Sequence, residues 1–140
     1  GDAYALSLIK GIAQTDGTYM ESDSTKMGSV VLPEYVWETV HTGMQQFAQN
    51  NTILKNMAIS VAGKTGTAQE AKNRPDHALF VGYAPADQPQ IAVAVRIANG
   101  YGSSNATAVG RSIFDYYFAL ESQEAILTGE ASQANNTRTD

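Results

Sequence analysis

Cysteine is absent from the 140 residues, which excludes a disulfide framework, thiolate zinc sites and a cysteine nucleophile. Histidine is almost absent too, His41 and His77 being the only two, so no metal cluster is expected, and no metal or organic cofactor is implied. Basic charge is short: 9 Lys+Arg face 14 Asp+Glu for a formal net charge of −5, a field that repels phosphate backbones. Nucleic acid is therefore not an expected partner. Long apolar runs are missing; the strongest, Ile91 to Val95, falls far short of the roughly 18 residues that suggest a membrane span. The opening Gly1-Asp2-Ala3-Tyr4 has no initiator Met, basic n-region or apolar h-region, and the chain is expected to be a fragment. What it does have is 43% hydrophobic residues, enough for one compact domain or a large piece of one.

Leu6, Leu8, Ile9 and Ile12 lead into Thr15-Asp16-Gly17-Thr18, where Asp-Gly suits a tight turn, so a hairpin is expected between Tyr4 and Met20. Residues Glu21 to Ser29 are polar and aperiodic. Pro33-Glu34 then opens a segment in which Val36, Trp37, Val40, Met44 and Phe47 recur at helical spacing, with an expected stop near Gln49-Asn50-Asn51. Three strands follow. The first alternates from Met57, Ile59 and Val61 through Gly63-Lys64-Thr65-Gly66-Thr67-Ala68, the second runs from His77 to Ala84, and the third from Gln90 to Ala98. The short link from Ala84 to Gln90 requires the last two to be antiparallel. After the loop Gly100 to Asn105, a helix is expected with Val109, Ile113, Tyr116, Tyr117 and Leu120 as its apolar stripe. Residues 122–140 read as a mobile polar tail, and there is no internal repeat. The order gives an α+β fold: an antiparallel sheet with packed helices, present as a partial domain over residues 1–121.

The sharpest chemistry lies in Ala62-Gly63-Lys64-Thr65-Gly66-Thr67-Ala68-Gln69. An amine and two hydroxyls among glycines are suited to an anion: the glycines let a ligand lie against the backbone, and Lys64 and the threonines offer charge-assisted bonds to carboxylate or phosphate. Gly63-Lys64-Thr65 matches the end of a phosphate-binding P-loop. However, the first glycine of that motif is replaced by Ala58, and Gly66 to Gln69 is a poor opening for the helix a P-loop needs. The alternative is the K-T-G element that lies on a strand beside the cleft of penicillin-recognising serine enzymes.

Beyond that motif the chain resembles the C-terminal part of the transpeptidase domain of class B penicillin-binding proteins, from about Leu8 to Phe118. The blocks that carry the resemblance occur in the family's order: Trp37-Glu38-Thr39-Val40 with Gly43-Met44; Ala62 to Gln69; Asp76-His77-Ala78-Leu79-Phe80-Val81-Gly82-Tyr83-Ala84-Pro85; Ile91 to Val95; and Asn99-Gly100 through Ser104. Leu79 departs from the family's usual aromatic. The resemblance implies a β-lactamase/transpeptidase-like fold and a peptidoglycan D,D-transpeptidase working through an acyl-serine, with β-lactams as mimics of D-Ala-D-Ala. It places Lys64, Thr65, Gly66 and Thr67 in the catalytic site and Thr65, Thr67, Ala68 and Gln69 against the substrate. Lys64 would organise the hydrogen bonds and potential near the nucleophile, and Thr65 and Thr67 would hold the terminal carboxylate of the stem peptide. The Thr67 backbone N–H would serve the oxyanion hole, and the acyl donor would pair along Thr67-Ala68-Gln69 as an added strand. It further implies an extracytoplasmic location in the cell envelope, a membrane anchor upstream, and the upstream half of the domain as a partner.

The family also has S-x-x-K and S-x-N motifs well upstream of K-T-G. Ser7-Leu8-Ile9-Lys10 and Ser103-Ser104-Asn105 spell both, but the first sits only a short way upstream in a strand-like stretch, where Ser and Lys would face opposite sides. The second follows K-T-G and reads as a helix N-cap. The nucleophile is therefore expected outside this segment. His77 reads as a surface or turn residue, Trp37 and Tyr116/Tyr117 as core or half-buried anchors, and Arg96 as an edge residue or a partner for Glu70. A non-catalytic peptidoglycan-binding relative remains an alternative to the enzyme.

Overall fold

The computed structural model describes residues 1–128, which fall into two compact units, Gly1–Trp37 and Glu38 onward. In the first, β1 (Asp2–Tyr4) pairs antiparallel with β4 (Lys26–Ser29), and β2 (Gly11–Ala13) with β3 (Tyr19–Glu21). The hairpin turn expected at Asp16-Gly17 is present. Gly17 takes a φ of 86°, and the Asp16 carboxylate accepts from both the Thr18 amide and hydroxyl at 2.9 and 2.7 Å. Those bonds, the hydroxyl's foremost, hold the Asp16 carboxyl below its ordinary pKa. The hairpin is shorter than expected, since residues 5–10 are irregular, and β4 lies in the segment read as aperiodic. Both strands of the β1–β4 ladder are exposed throughout, so no alternation marked them. Asp2 ties the pair, accepting from Lys26 at 2.8 Å and Ser29 at 2.7 Å.

Helix α1 spans Glu34–Asn50, as its spacing predicts, and its first turn closes on the Pro33 carbonyl through the Val36 amide. Three antiparallel strands follow in the order β5 (Ala62–Ala68), β6 (His77–Ala84), β7 (Ile91–Ile97). The expected strand over 57–61 does not form; those residues are irregular, with a bend at 58–59, and Met57, Ile59 and Val61 still pack on the core. Their alternation records one-sided burial without a ladder partner.

Helix α2 (Ser103–Tyr117) covers the sheet face that carries Phe80. Its inner face is Ala106, Thr107, Gly110 and Phe114, so the expected stripe is corrected: Val109, Ile113, Tyr116 and Tyr117 are exposed. The physical reason is Phe80, fully buried with its ring against Gly110, which forces small residues inward. Part of the expected tail is ordered as α3 (Gln123–Thr128); the rest lies outside the described residues. No helix among the described residues is long and apolar enough to cross a membrane.

Candidate active site

The register sets which way each residue of the motif faces. Lys64 pairs with Val81 and Gly66 with Leu79, whereas Thr65 pairs with Phe80 and Thr67 with Ala78. Phe80 and Ala78 are buried and Phe80 contacts Gly110 of α2, so Thr65 and Thr67 leave the strand on the side of α2 while Lys64 leaves on the other. Among the described residues β5 is an edge strand, and its free edge borders a cleft of about 420 Å³. Lys64, Thr65, Gly66 and Thr67 all reach it. Opposite them stand Ser103, Ser104 and Thr107 of α2, with Phe47 and Asn51 to Ile53 closing one end.

Lys64 is exposed and donates to the Thr65 carbonyl at 2.7 Å, with its Nζ 5.9 Å from the centre of the Phe47 ring. No carboxylate pairs with it among the described residues. An ammonium compensated only by a carbonyl and a ring face leaves the cleft receptive to an anion. At Gly66 a Cβ would meet only Leu79, at an ordinary 3.6 Å, so packing among the described residues does not require glycine at this point. Ala68 ends the strand and Gln69 follows it, exposed.

The rest of the cleft lining is tied by hydrogen bonds. Thr107 Oγ1 donates to the Ser103 carbonyl at 3.0 Å, the Asn51 side chain accepts from the amides of Ile53 and Leu54, and Arg111 bridges the Ile53 carbonyl and Asp115. Sequence reasoning missed Ser103, Ser104 and Thr107. Ser103-Ser104-Asn105 was expected to cap the helix, but the N-cap is Gly102, with no side-chain cap bond, and Asn105 Nδ2 reaches back to the Gly100 carbonyl at 2.7 Å. Ser7 lies in neither helix nor strand, and its Oγ is engaged with Ile9 in a local turn. The P-loop reading is overturned. Gly63, Lys64 and Thr65 sit inside β5, which runs on to Ala68 with no helix opening after Thr65.

His77 is not a surface residue. It is 6% exposed, with Nε2 2.8 Å from Glu70 and Nδ1 accepting the Asn99 amide at 2.9 Å. Glu70 thus belongs to His77, and Arg96 stands exposed on the face of Ala92 and Ala94. No three His, Asp or Glu side chains converge on a metal position among the described residues.

Tyr83 lies in β6, edge-on to His41 at 5.8 Å. Its hydroxyl is buried with no hydrogen-bond partner among the described residues, and burial pushes the phenol above its ordinary pKa. A raised folded-state pKa contributes stability that is full below the unfolded value, near 10, and is lost as pH rises through the folded one. Tyr83→Phe is therefore expected to hold or raise stability by up to about 1 kcal/mol at pH 7 and to remove the alkaline loss. Urea melts of both forms at pH 7 and above pH 10 check it; equal alkaline loss in both would contradict the assignment.

Comparison with known proteins places this chain in a family. Residues 1–115 match the model of the penicillin-binding protein transpeptidase domain. The chain is 32% identical over 106 residues to the peptidoglycan D,D-transpeptidase MrdA of Acinetobacter baumannii and 40% identical over 101 residues to that of Haemophilus influenzae, covering 64% and 58% of this chain. It spans only 16% of the length of either. Penicillin-binding protein A of Mycobacterium tuberculosis, solved as an imipenem acyl-enzyme, superposes with a TM-score of 0.70 at 25% identity, over 86% of this chain and 27% of that one. Penicillin-binding protein 2 of Pseudomonas aeruginosa, solved with WCK 5153, gives 0.61 at 40% identity, over 74% and 24%. The chain belongs to the penicillin-binding protein transpeptidase domain family, in its class B branch. Its fold is accordingly part of that α+β domain.

Proposed function

We propose that this chain is the C-terminal portion of a peptidoglycan D,D-transpeptidase domain, residues 1–121 supplying the K-T-G wall of the active site and residues beyond 121 lying outside it. The observation that carries the reading is an edge strand presenting Lys64, Thr65, Gly66 and Thr67 to one cleft. In the intact enzyme a serine from the upstream half attacks the D-Ala-D-Ala carbonyl, expels the last D-Ala, and passes the acyl group to an amine of a neighbouring stem peptide. Lys64 provides the positive potential, and the hydroxyls of Thr65 and Thr67 hold the substrate carboxylate. The acyl donor adds as a strand along Thr67, Ala68 and Gln69, beside a strand that lies at the end of its sheet among the described residues. The Thr67 N–H supports the oxyanion, a donor whose loss costs on the order of 3 kcal/mol of transition-state stabilisation. No cofactor takes part. β-Lactams acylate the same serine, and the protein acts in the cell envelope outside the cytoplasmic membrane, held by an anchor upstream.

The test is intact mass after incubation with a β-lactam, with the full-length protein and the 140-residue chain run in parallel. One adduct on the full-length protein alone is expected. An adduct on neither would favour the non-catalytic peptidoglycan-binding relative, and an adduct on Ser7 of the short chain would overturn the map of the site.

A further inference from the structure

Resting on that function, we infer that His77 is a positioning residue that sets the wall of the cleft opposite K-T-G. The loop between β7 and α2 runs directly into Ser103 and Ser104, which line that wall. It is an unfavourable piece of backbone: Asn99 and Tyr101, neither of them glycine, take φ of 53° and 65°. Besides bonds from Gly100 to the Ile97 carbonyl and from Asn105 to the Gly100 carbonyl, it is held by residues 76–78 at the entry to β6. The Asn99 amide donates to His77 Nδ1 at 2.9 Å, the Tyr101 amide donates to the Asp76 carbonyl at 3.1 Å, and Gly100 lies so close to Ala78 that a Cβ would come within 2.9 Å of it.

His77 contributes a side-chain hydrogen bond to that set of anchors, and its chemistry is specified by its partners. An amide N–H must donate, so Nδ1 keeps its lone pair, and the proton therefore sits on Nε2 and points at the Glu70 carboxylate 2.8 Å away. The ring is buried, whereas the Glu70 side chain is 65% exposed. The two bonds are thus unequal. At the Glu70 end the partner side chain is exposed and water can stand in for it, while at the other end the acceptor for the Asn99 amide is a nitrogen of the buried ring. Glu70 fixes the tautomer, and Nδ1 holds the loop. The group does not line the cleft; it acts through Asn99 on the residues that do.

The two amides that resemble histidine separate these bonds. In His77→Asn the side-chain oxygen falls where Nδ1 was, keeping the acceptor for Asn99 and losing Glu70. In His77→Gln the amide reaches Glu70, and Asn99 loses its acceptor. In the full-length protein, acylation by a fluorescent penicillin is measured for both against concentration, below their melting temperatures. His77→Asn is expected to keep the wild-type half-saturating concentration within about twofold, and His77→Gln to raise it about tenfold, because an untethered loop lowers the population of the competent cleft. The saturating acylation rate changes by less than about twofold in both, since Lys64 is untouched. Equal behaviour of the two variants, the reverse order, or failure of His77→Asn to fold would overturn the inference. Absence of acylation in the wild-type protein would instead overturn the proposed function.

Discussion

Phe80→Ala is expected to destabilise the sheet-and-helix unit by about 3–5 kcal/mol, the usual cost of emptying a fully buried phenylalanine site. The ring has no exposed surface, and its environment is shaped around it. A Cβ on Gly63 would stand 2.8 Å from Phe80 Cε2, one on Gly82 2.7 Å from Cζ, and one on Gly110 would collide with Cδ1 and Cε1. Three glycines on two strands and one helix therefore form a slot that only this ring fills. Because the slot walls are backbone, they cannot collapse into the void, which puts the loss at the upper end of the range. Gly110→Ala attacks the same contact from the other side, and overpacking there should cost about 1–3 kcal/mol. Chemical denaturation of each variant checks both, and a loss below about 1 kcal/mol for Phe80→Ala would mean that the slot is not the centre of the core.

That slot also accounts for what could and could not be read in advance. Strands β6 and β7 were legible because each buries one face, so Phe80, Ala78, Val93 and Val95 mark the inside by alternation. The existence of α2 was legible and its orientation was not. Hydrophobic size normally marks the buried face, but here Phe80 fills the space beneath the helix, and Ala106 and Gly110 face inward while Tyr116 and Tyr117 face out. Strands β1 and β4 have no buried face and left no pattern. That Ala62 to Gln69 suits an anion was legible from residue types alone, since an amine and hydroxyls among glycines state their chemistry locally, whereas its assignment as a K-T-G element rested on the resemblance. The opposite wall was not legible, because Ser103, Ser104 and Thr107 become part of the cleft only through the return of α2 across the sheet. His77 looked like a surface residue for the same reason. Its partners Glu70 and Asn99 sit in two different loops, and no spacing in the chain announces that they meet.

Lys64→Ala in the full-length protein is expected to slow acylation by a β-lactam by on the order of 10²–10³-fold, the range seen when one preorganised electrostatic contact is removed from an acyl-transfer site. The loss should come without a loss of stability. Lys64 is exposed, makes one bond to its neighbour's carbonyl and no ion pair among the described residues, so its removal should shift unfolding by no more than about 0.5 kcal/mol. The ammonium is held by the register of β5, on the strand face opposite Thr65 and Thr67, yet all three reach one cleft because the strand is an edge. A carboxylate lying along that edge meets charge from one side of the strand and hydroxyls from the other. Lys64→Arg keeps the charge, but its planar fork presents donors differently from a compact ammonium, so partial recovery is expected. Acylation kinetics beside thermal melts separate the effects. If Lys64→Ala and Lys64→Arg acylate at the wild-type rate while melting normally, the cation has no part in the chemistry, and the K-T-G strand serves only to bind.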